Sequence, residues 1–125
     1  MFRIEKIGSN HFYIKVLGTF PPSVTENFLK EFGKQIENFD RISVIVDGAD
    51  FILLNLKSFE DILNFLKKNN EKLEKSAWII TTNILLDKEI QILLKKAESP
   101  KRKIVRNLEE AKRWIGIEKI MIEKH

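Results

Sequence analysis

A single α/β domain, built on one mixed and mostly parallel β-sheet flanked by helices, is the fold class this sequence predicts. Three observations lead to it. The chain has 125 residues, the length of one ordinary domain. It is 43% hydrophobic and 32% charged, enough apolar material for a core, and its five Gly and three Pro are too few for a fibrous or disordered chain. Segments of strand character alternate with segments of helical periodicity, the pattern of parallel strands joined by crossovers.

Phe2 to Ile7 alternates apolar and polar side chains, the period of a strand with one buried face. Gly8-Ser9-Asn10 is a turn cluster, and His11 to Leu17 resumes the alternation, so the two strands form an antiparallel hairpin. Pro21 and Pro22 stop the second strand, because neither can donate to a ladder. Ser23-Val24-Thr25-Glu26 has capping-box spacing. Phe28, Leu29, Phe32, Ile36 and Phe39 follow at helical spacing, which predicts a helix over residues 24–38. Ile42 to Val46 is β-branched without clean alternation, the mark of a central strand buried on both faces.

Ser58 is the expected N-cap of a second helix, with Glu60 and Asp61 at the positive end of its macrodipole and Phe59, Ile62, Leu63 and Leu66 facing the core. The interleaved charges of Lys67 to Lys75 read as that helix's solvated end. Ala77 to Thr81 is a third buried strand. Ile84 to Ala97 is a third helix with Leu86, Ile90, Leu93 and Leu94 on one side. Ser99-Pro100 breaks it, and Lys103 to Arg106 makes a short strand. Asn107-Leu108-Glu109-Glu110 is another capping box, opening a helix that closes at Gly116. The order is ββαβαβαβα. Residues 1–116 form the domain, and 117–125 are a tail in which Ile120 and Ile122 suit a short edge strand.

Composition removes whole classes of chemistry. There is no Cys, so disulfides, thiol catalysis and cysteine metal sites are excluded. The two His, at positions 11 and 125, leave no basis for a histidine metal centre. No cofactor and no metal are expected. Neither G-x-G-x-x-G nor G-x-x-x-x-G-K occurs. No apolar run approaches the ~18 residues of a membrane span. Met1 to Lys6 lacks the apolar region of a secretory signal, so the expected location is the cytoplasm.

The closing stretch Lys103-Ile104-Val105-Arg106-Asn107-Leu108-Glu109-Glu110-Ala111-Lys112-Arg113-Trp114-Ile115-Gly116 combines a short strand, a two-acid helix start, Ala and a Trp with an aliphatic partner. With Ile45-Val46-Asp47 and Ala77-Trp78-Ile79-Ile80, and with the element order, it resembles the STAS-like superfamily. The nearer likeness is to its SpoIIAA-like branch, which is also compared with CRAL-TRIO lipid-binding domains. The resemblance implies a non-enzymatic regulatory or binding module that contacts a protein partner or an apolar small molecule. In sigma-regulatory members an Asp-Ser-Ser-Gly-like turn carries a serine phosphorylated by a partner kinase. The comparable stretch here is Asn55-Leu56-Lys57-Ser58, so that switch is not carried over.

Ligands of open sheets bind beyond the carboxyl ends of parallel strands, a rim lined here by Gly18-Thr19-Phe20, residues 47–58 and Thr81-Thr82-Asn83. Phe51, Leu53, Leu54 and Asn55 belong to an apolar stretch lying in a connection, where side chains must pack, line a pocket or meet a partner. Ser58 is a helix cap before it is a phosphoacceptor. Thr81, Thr82 and Asn83 suit a small anion at a helix N-terminus, or simply cap that helix. Asp47 and Asp50 offer an alternative, a small hydrolase or transferase using two carboxylates or holding a hard cation, against the simpler role of satisfying loop amides.

The net charge is +4, from 22 basic and 18 acidic residues. Lys95, Lys96, Lys101, Arg102, Lys103 and Arg106 form a basic run with Glu98 as its negative neighbour. That run is a second alternative, weak nucleic-acid binding. It lacks interleaved aromatics to stack bases, so a solvated face is favoured and nucleic acid is not the expected partner. Trp78 and Trp114 read as core, and His11 as an edge-strand residue without a catalytic partner.

Overall fold

The alternating segments pair into one five-stranded sheet whose strands stand side by side in chain order. The computed structural model describes residues 2–81 and 83–117, with residues 53 and 54 described by backbone alone. The expectations placed on the side chains of Leu53 and Leu54, on Thr82, and on Ile120 and Ile122 lie outside the described residues.

The hairpin joins β1 (Phe2–Lys6) to β2 (His11–Phe20), antiparallel, with Phe2 opposite Val16 and Lys6 opposite Phe12. Next come β3 (Ile42–Leu54), β4 (Leu73–Ile79) and β5 (Arg102–Val105), each parallel to its predecessor. The helices are α1 (Pro22–Ile36), α2 (Leu56–Lys68), α3 (Ile84–Lys96) and α4 (Leu108–Ile115). The order is the expected ββαβαβαβα.

Successive right-handed crossovers that advance in one direction deliver their helices to the same face of a sheet. Accordingly Phe28, Phe32 and Ile36 of α1, Ile62 of α2, and Leu86 and Ile90 of α3 share one cluster with Phe12, Ile14, Val44 and Trp78. After the last strand no crossover constrains α4. It covers the opposite face of β3–β5, where Ala111 and Ile115 pack on Ile45, Ala77, Ile79 and Val105. The central strands are thereby sandwiched, as their β-branched sequences predict.

Several boundaries differ from expectation, each for a local reason. Pro22 takes the first position of α1 with Pro21 as N-cap, so Ser23 caps nothing. Asn55 rather than Ser58 caps α2: its Oδ1 accepts from Ser58 N at 2.8 Å, and Leu56 is already helical. Leu73 to Lys75 begin β4 instead of ending a helix, and that strand stops at Ile79. His11 lies in β2, an inner strand flanked by β1 and β3, not in an edge strand. Asn107 caps α4 by accepting from Glu110 N, and Gly116 ends it in the left-handed region at φ 77°, both as expected. The Glu110 carboxylate reaches back to Arg106 N, one residue short of the capping-box partner.

The largest correction concerns β3, which runs on through Asp47–Leu54 where a connection was expected. Its register against β2 slips twice, between Lys15/Leu17 and Gly18/Phe20, and each slip inserts one extra residue on β3. A bulge changes which face every later side chain takes. The first one turns Phe51 inward, 6% exposed, and leaves Ile52 outward, 54% exposed. Gly48 sits at this bulge because a Cβ there would lie 3.2 Å from the Ile79 carbonyl oxygen and 3.1 Å from Ile80 Cδ1.

Asn55 does two jobs, since its Nδ2 also donates to the Phe20 carbonyl at 3.2 Å and ties α2 to the end of β2. Asn55→Ala is expected to cost ~1–2 kcal/mol, measured by denaturant unfolding, with unchanged dependence on denaturant.

Candidate functional site

Placing three helices over one face leaves space where their stripes do not meet. Between the sheet and α1–α3 is an apolar cavity of about 90 Å³. Val44, Val46 and Trp78 form its sheet wall, and Phe32, Phe65 and Ile90 its helix wall. Phe20 and Phe51, at the carboxyl ends of β2 and β3, also line it and stack edge-on with centroids 5.2 Å apart. Among the described residues expected to bind a ligand, Phe51 is the one that lines this cavity.

The cavity's polar side chains come from the other end of the strands. Val44, Ser76 and Arg102 stand on one rung of β3, β4 and β5. Because β-strand side chains alternate, Arg102 and Ile104 project toward the helices while Lys103 and Val105 project toward α4. Arg102 is therefore 8% exposed and lines the cavity with Ser76 and Asn69. Its Nη2 donates to the Leu66 carbonyl at 2.9 Å, but Nε and Nη1 are buried and meet no acceptor among the described residues. Burial alone pushes its pKa down to about 10, which still leaves it cationic at neutral pH. A buried ion without its full set of partners costs on the order of several kcal/mol. Ser76 Oγ accepts from Trp78 Nε1 at 3.1 Å and keeps its own proton to donate.

Sequence reasoning counted Arg102 among solvated cations. The signal that locates it is the alternation of a four-residue strand, which pairs it with Ile104. The rest of the basic run is likewise dispersed. Lys101 Nζ donates to the Leu73 carbonyl, Lys103 and Lys75 lie over the Trp114 ring, and Arg106 pairs with Asp87 at 2.8 Å. These cations point to different faces and form no single basic surface.

At the rim, most of the expected hydroxyl and amide groups are already committed. Ser58 is fully buried: its hydroxyl donates to the Phe20 carbonyl at 2.7 Å and accepts from Thr25 Oγ1 at 2.7 Å, clamping α1 and α2 to β2. Asn83 caps α3 through Leu86 N while its Nδ2 donates to the Ile52 carbonyl at 2.9 Å, so its amide is occupied at both ends. Thr81 is exposed. Ile52, Leu56, Ile84 and Leu85 stand out at this rim, the last three between 66% and 75% exposed.

Asp47 and Asp50 flank the first bulge of β3, Asp47 on the sheet face that carries Ile45 and Tyr13. Lys15 Nζ bridges them, 3.3 Å from Asp47 and 2.8 Å from Asp50. Asp47 also accepts from the Tyr13 hydroxyl and from Ala49 N. Burial pulls the Lys15 pKa down, but the hydrogen bonds and charges of Asp50 and Asp47 outweigh it and the net shift is upward. A cation locked between two carboxylates neutralises the pair that an acid–base reaction would use. Among the described residues, no group of three or more His, Asp or Glu is placed to hold a metal ion.

Burial first, and then the bond to the Asp47 carboxylate, push the Tyr13 pKa well up. The fold favours the protonated phenol, so its contribution is whole below the ordinary tyrosine value near 10 and is lost as pH rises past it. As the single tyrosine of the chain, Tyr13 is expected to ionise far above that value in the native protein, by ultraviolet titration of tyrosinate. In Asp47→Asn the midpoint moves down.

No known family model and no curated protein matches this chain. Among solved structures it is similar to an uncharacterized protein of the DUF3478 family from Shewanella loihica PV-4, which has a SpoIIAA-like fold. The two superpose with a TM-score of 0.70 at 16% identity, over 91% of each chain. Sheet order, helix placement and this superposition together give the chain a SpoIIAA-like fold.

Proposed function

We propose that the protein is a non-enzymatic binding module of STAS-like type that encloses a small apolar molecule between its sheet and helices α1–α3. The observation that carries this reading is the cavity of about 90 Å³ walled by Val44, Val46, Trp78, Phe32, Phe65 and Ile90. Cores ordinarily close to near-crystal density, and large-to-small changes that open such a space are destabilising. An apolar cavity of about 150 Å³ lined by aliphatic and aromatic side chains takes up benzene or xenon. The paired carboxylates support this reading over the hydrolase or transferase alternative, because Lys15 occupies the space between them. The dispersal of the basic run likewise disfavours nucleic acid.

Xenon is the probe of matching size. Under xenon pressure the methyl resonances of Val44, Val46 and Ile90 are expected to shift with a saturable dependence, while those of Ile45 and Val105 on the other face stay still. Val44→Phe, checked for retained fold by circular dichroism, removes the response. Unshifted cavity methyls at saturating xenon overturn the reading.

A second reading rests on the rim. Ile84 and Leu85, 71% and 66% exposed, sit at the start of α3 beside Ile52 and Leu56. Exposed apolar side chains gathered at one edge of a soluble domain favour contact with a protein partner. This reading takes the expected partner class, a protein, and moves its contact from buried Phe51 and Ser58, and from Asn55 with its committed amide, to their exposed neighbours. Ile84→Asp with Leu85→Asp is expected to abolish capture of a partner while leaving the unfolding midpoint within ~0.5 kcal/mol of the parent.

A further inference from the structure

The cavity's wall is uneven in thickness. Leu86 and Ile90, which α3 contributes, are 1% and 3% exposed. Leu29 of α1 and Phe65 of α2 line the cavity too, and both are half-buried. The same two side chains also line an open surface groove between α1 and α2, flanked by Glu26, Lys57, Asp61 and Lys68. Facing the cavity on one side and the groove on the other, a leucine and a phenylalanine form a septum one side chain thick.

The two helices are tied near both ends of this seam. At their first turns Thr25 Oγ1 donates to Ser58 Oγ at 2.7 Å, and beyond their last turns Lys72 Nζ donates to the Ile36 carbonyl at 2.8 Å. Between these ties the helices meet through packing, with the Phe32 and Phe65 rings 5.9 Å apart. Facing Phe65 on α1 is Gly33, where a Cβ would lie 3.8 Å from Phe65 Cε2. Glycine is a poor helix former, and here its missing side chain leaves one flank of the Phe65 ring unfilled.

From this arrangement we propose that Leu29 and Phe65 are a side-chain gate through which an uncharged apolar guest passes between solvent and the cavity. Tied helix ends hold the groove's sides in place, so passage comes from rotation of half-exposed side chains, which is fast, rather than from parting the helices. The carboxyl ends of the strands offer no such door: Phe20 and Phe51 are 2% and 6% exposed and stack on each other. Glu26 and Asp61 balance Lys57 and Lys68, and Lys57 pairs with Asp61 at 2.9 Å. These four side chains give the mouth no net charge, as suits an uncharged guest. The inference rests on the reading of the cavity as a ligand site and adds its entrance.

The test follows xenon by magnetisation-exchange NMR on the intact chain, which gives entry rate, release rate and affinity together. Gly33 lies outside the cavity lining, so Gly33→Leu fills the flank of Phe65 and leaves the site itself unaltered. It is expected to slow entry and release alike by about tenfold, with affinity held within about twofold. Gly33→Ala, a milder change that favours the helix, slows both in the same sense and serves where Gly33→Leu does not fold. Leu29→Ala thins the septum and speeds entry by about tenfold, whereas Phe51→Leu leaves the entry rate unchanged. Entry rates unmoved by the changes at 33 and 29, or raised by Phe51→Leu alone, overturn the gate while leaving the cavity reading intact. If xenon does not bind the parent at all, the cavity reading falls and the gate falls with it.

Discussion

Everything distinctive about this domain follows from the direction in which its chain advances across the sheet. β2, β3, β4 and β5 stand in chain order, so each crossover steps the same way and α1, α2 and α3 arrive on one face. Two consequences are immediate. Among the described strands no point exists at which strand order reverses, so they form no crevice of the kind in which doubly wound sheets hold nucleotides. Three helices must instead share one side of a narrow sheet, and the space they fail to fill becomes the cavity. α4, freed from that constraint, seals the other face through the small side chain of Ala111.

The same constraint explains why the polar residues divide as they do. On the sheet side where α4 lies, the rungs of β1–β3 carry Arg3, Glu5, Tyr13, Lys15 and Asp47, and Arg3 pairs with Glu5 at 2.8 Å. There, each cation has a carboxylate beside it, Arg3 with Glu5 and Lys15 with Asp47 and Asp50. Arg102 sits on the opposite side, under the helices, where no carboxylate of the described residues pairs with it. Ionisable groups on the two sides of one sheet thus differ in character, paired in opposite charges on the first and unpaired by any described carboxylate on the second.

Local chemistry was legible in the sequence wherever it was self-contained. The last helix is the clearest case: Asn107 and Gly116 mark its ends by side-chain capping and by a left-handed residue, and neither needs a tertiary partner. The sandwiched strands were legible from their β-branched runs. What was hidden depends on long-range register. Two bulges broke the alternation of β3, so a strand through Leu54 read as a connection and the inward turn of Phe51 had no visible cause. Ser58 reads as the cap because acids follow it, while Asn55 makes the cap bond to Ser58 N and adds a long-range bond to Phe20 that no local pattern displays. Arg102 was concealed by its neighbours Lys101 and Lys103, although the two-residue period that pairs it with Ile104 was present in the sequence.

The Phe20 carbonyl receives the Ser58 hydroxyl and the Asn55 amide, both from the first turns of α2. This single oxygen consequently ties the sheet's upper edge to the helix that roofs its interior. The stretch 55–58 is therefore spent on fixing α2 to the sheet, with neither its capping amide nor its hydroxyl left for another role.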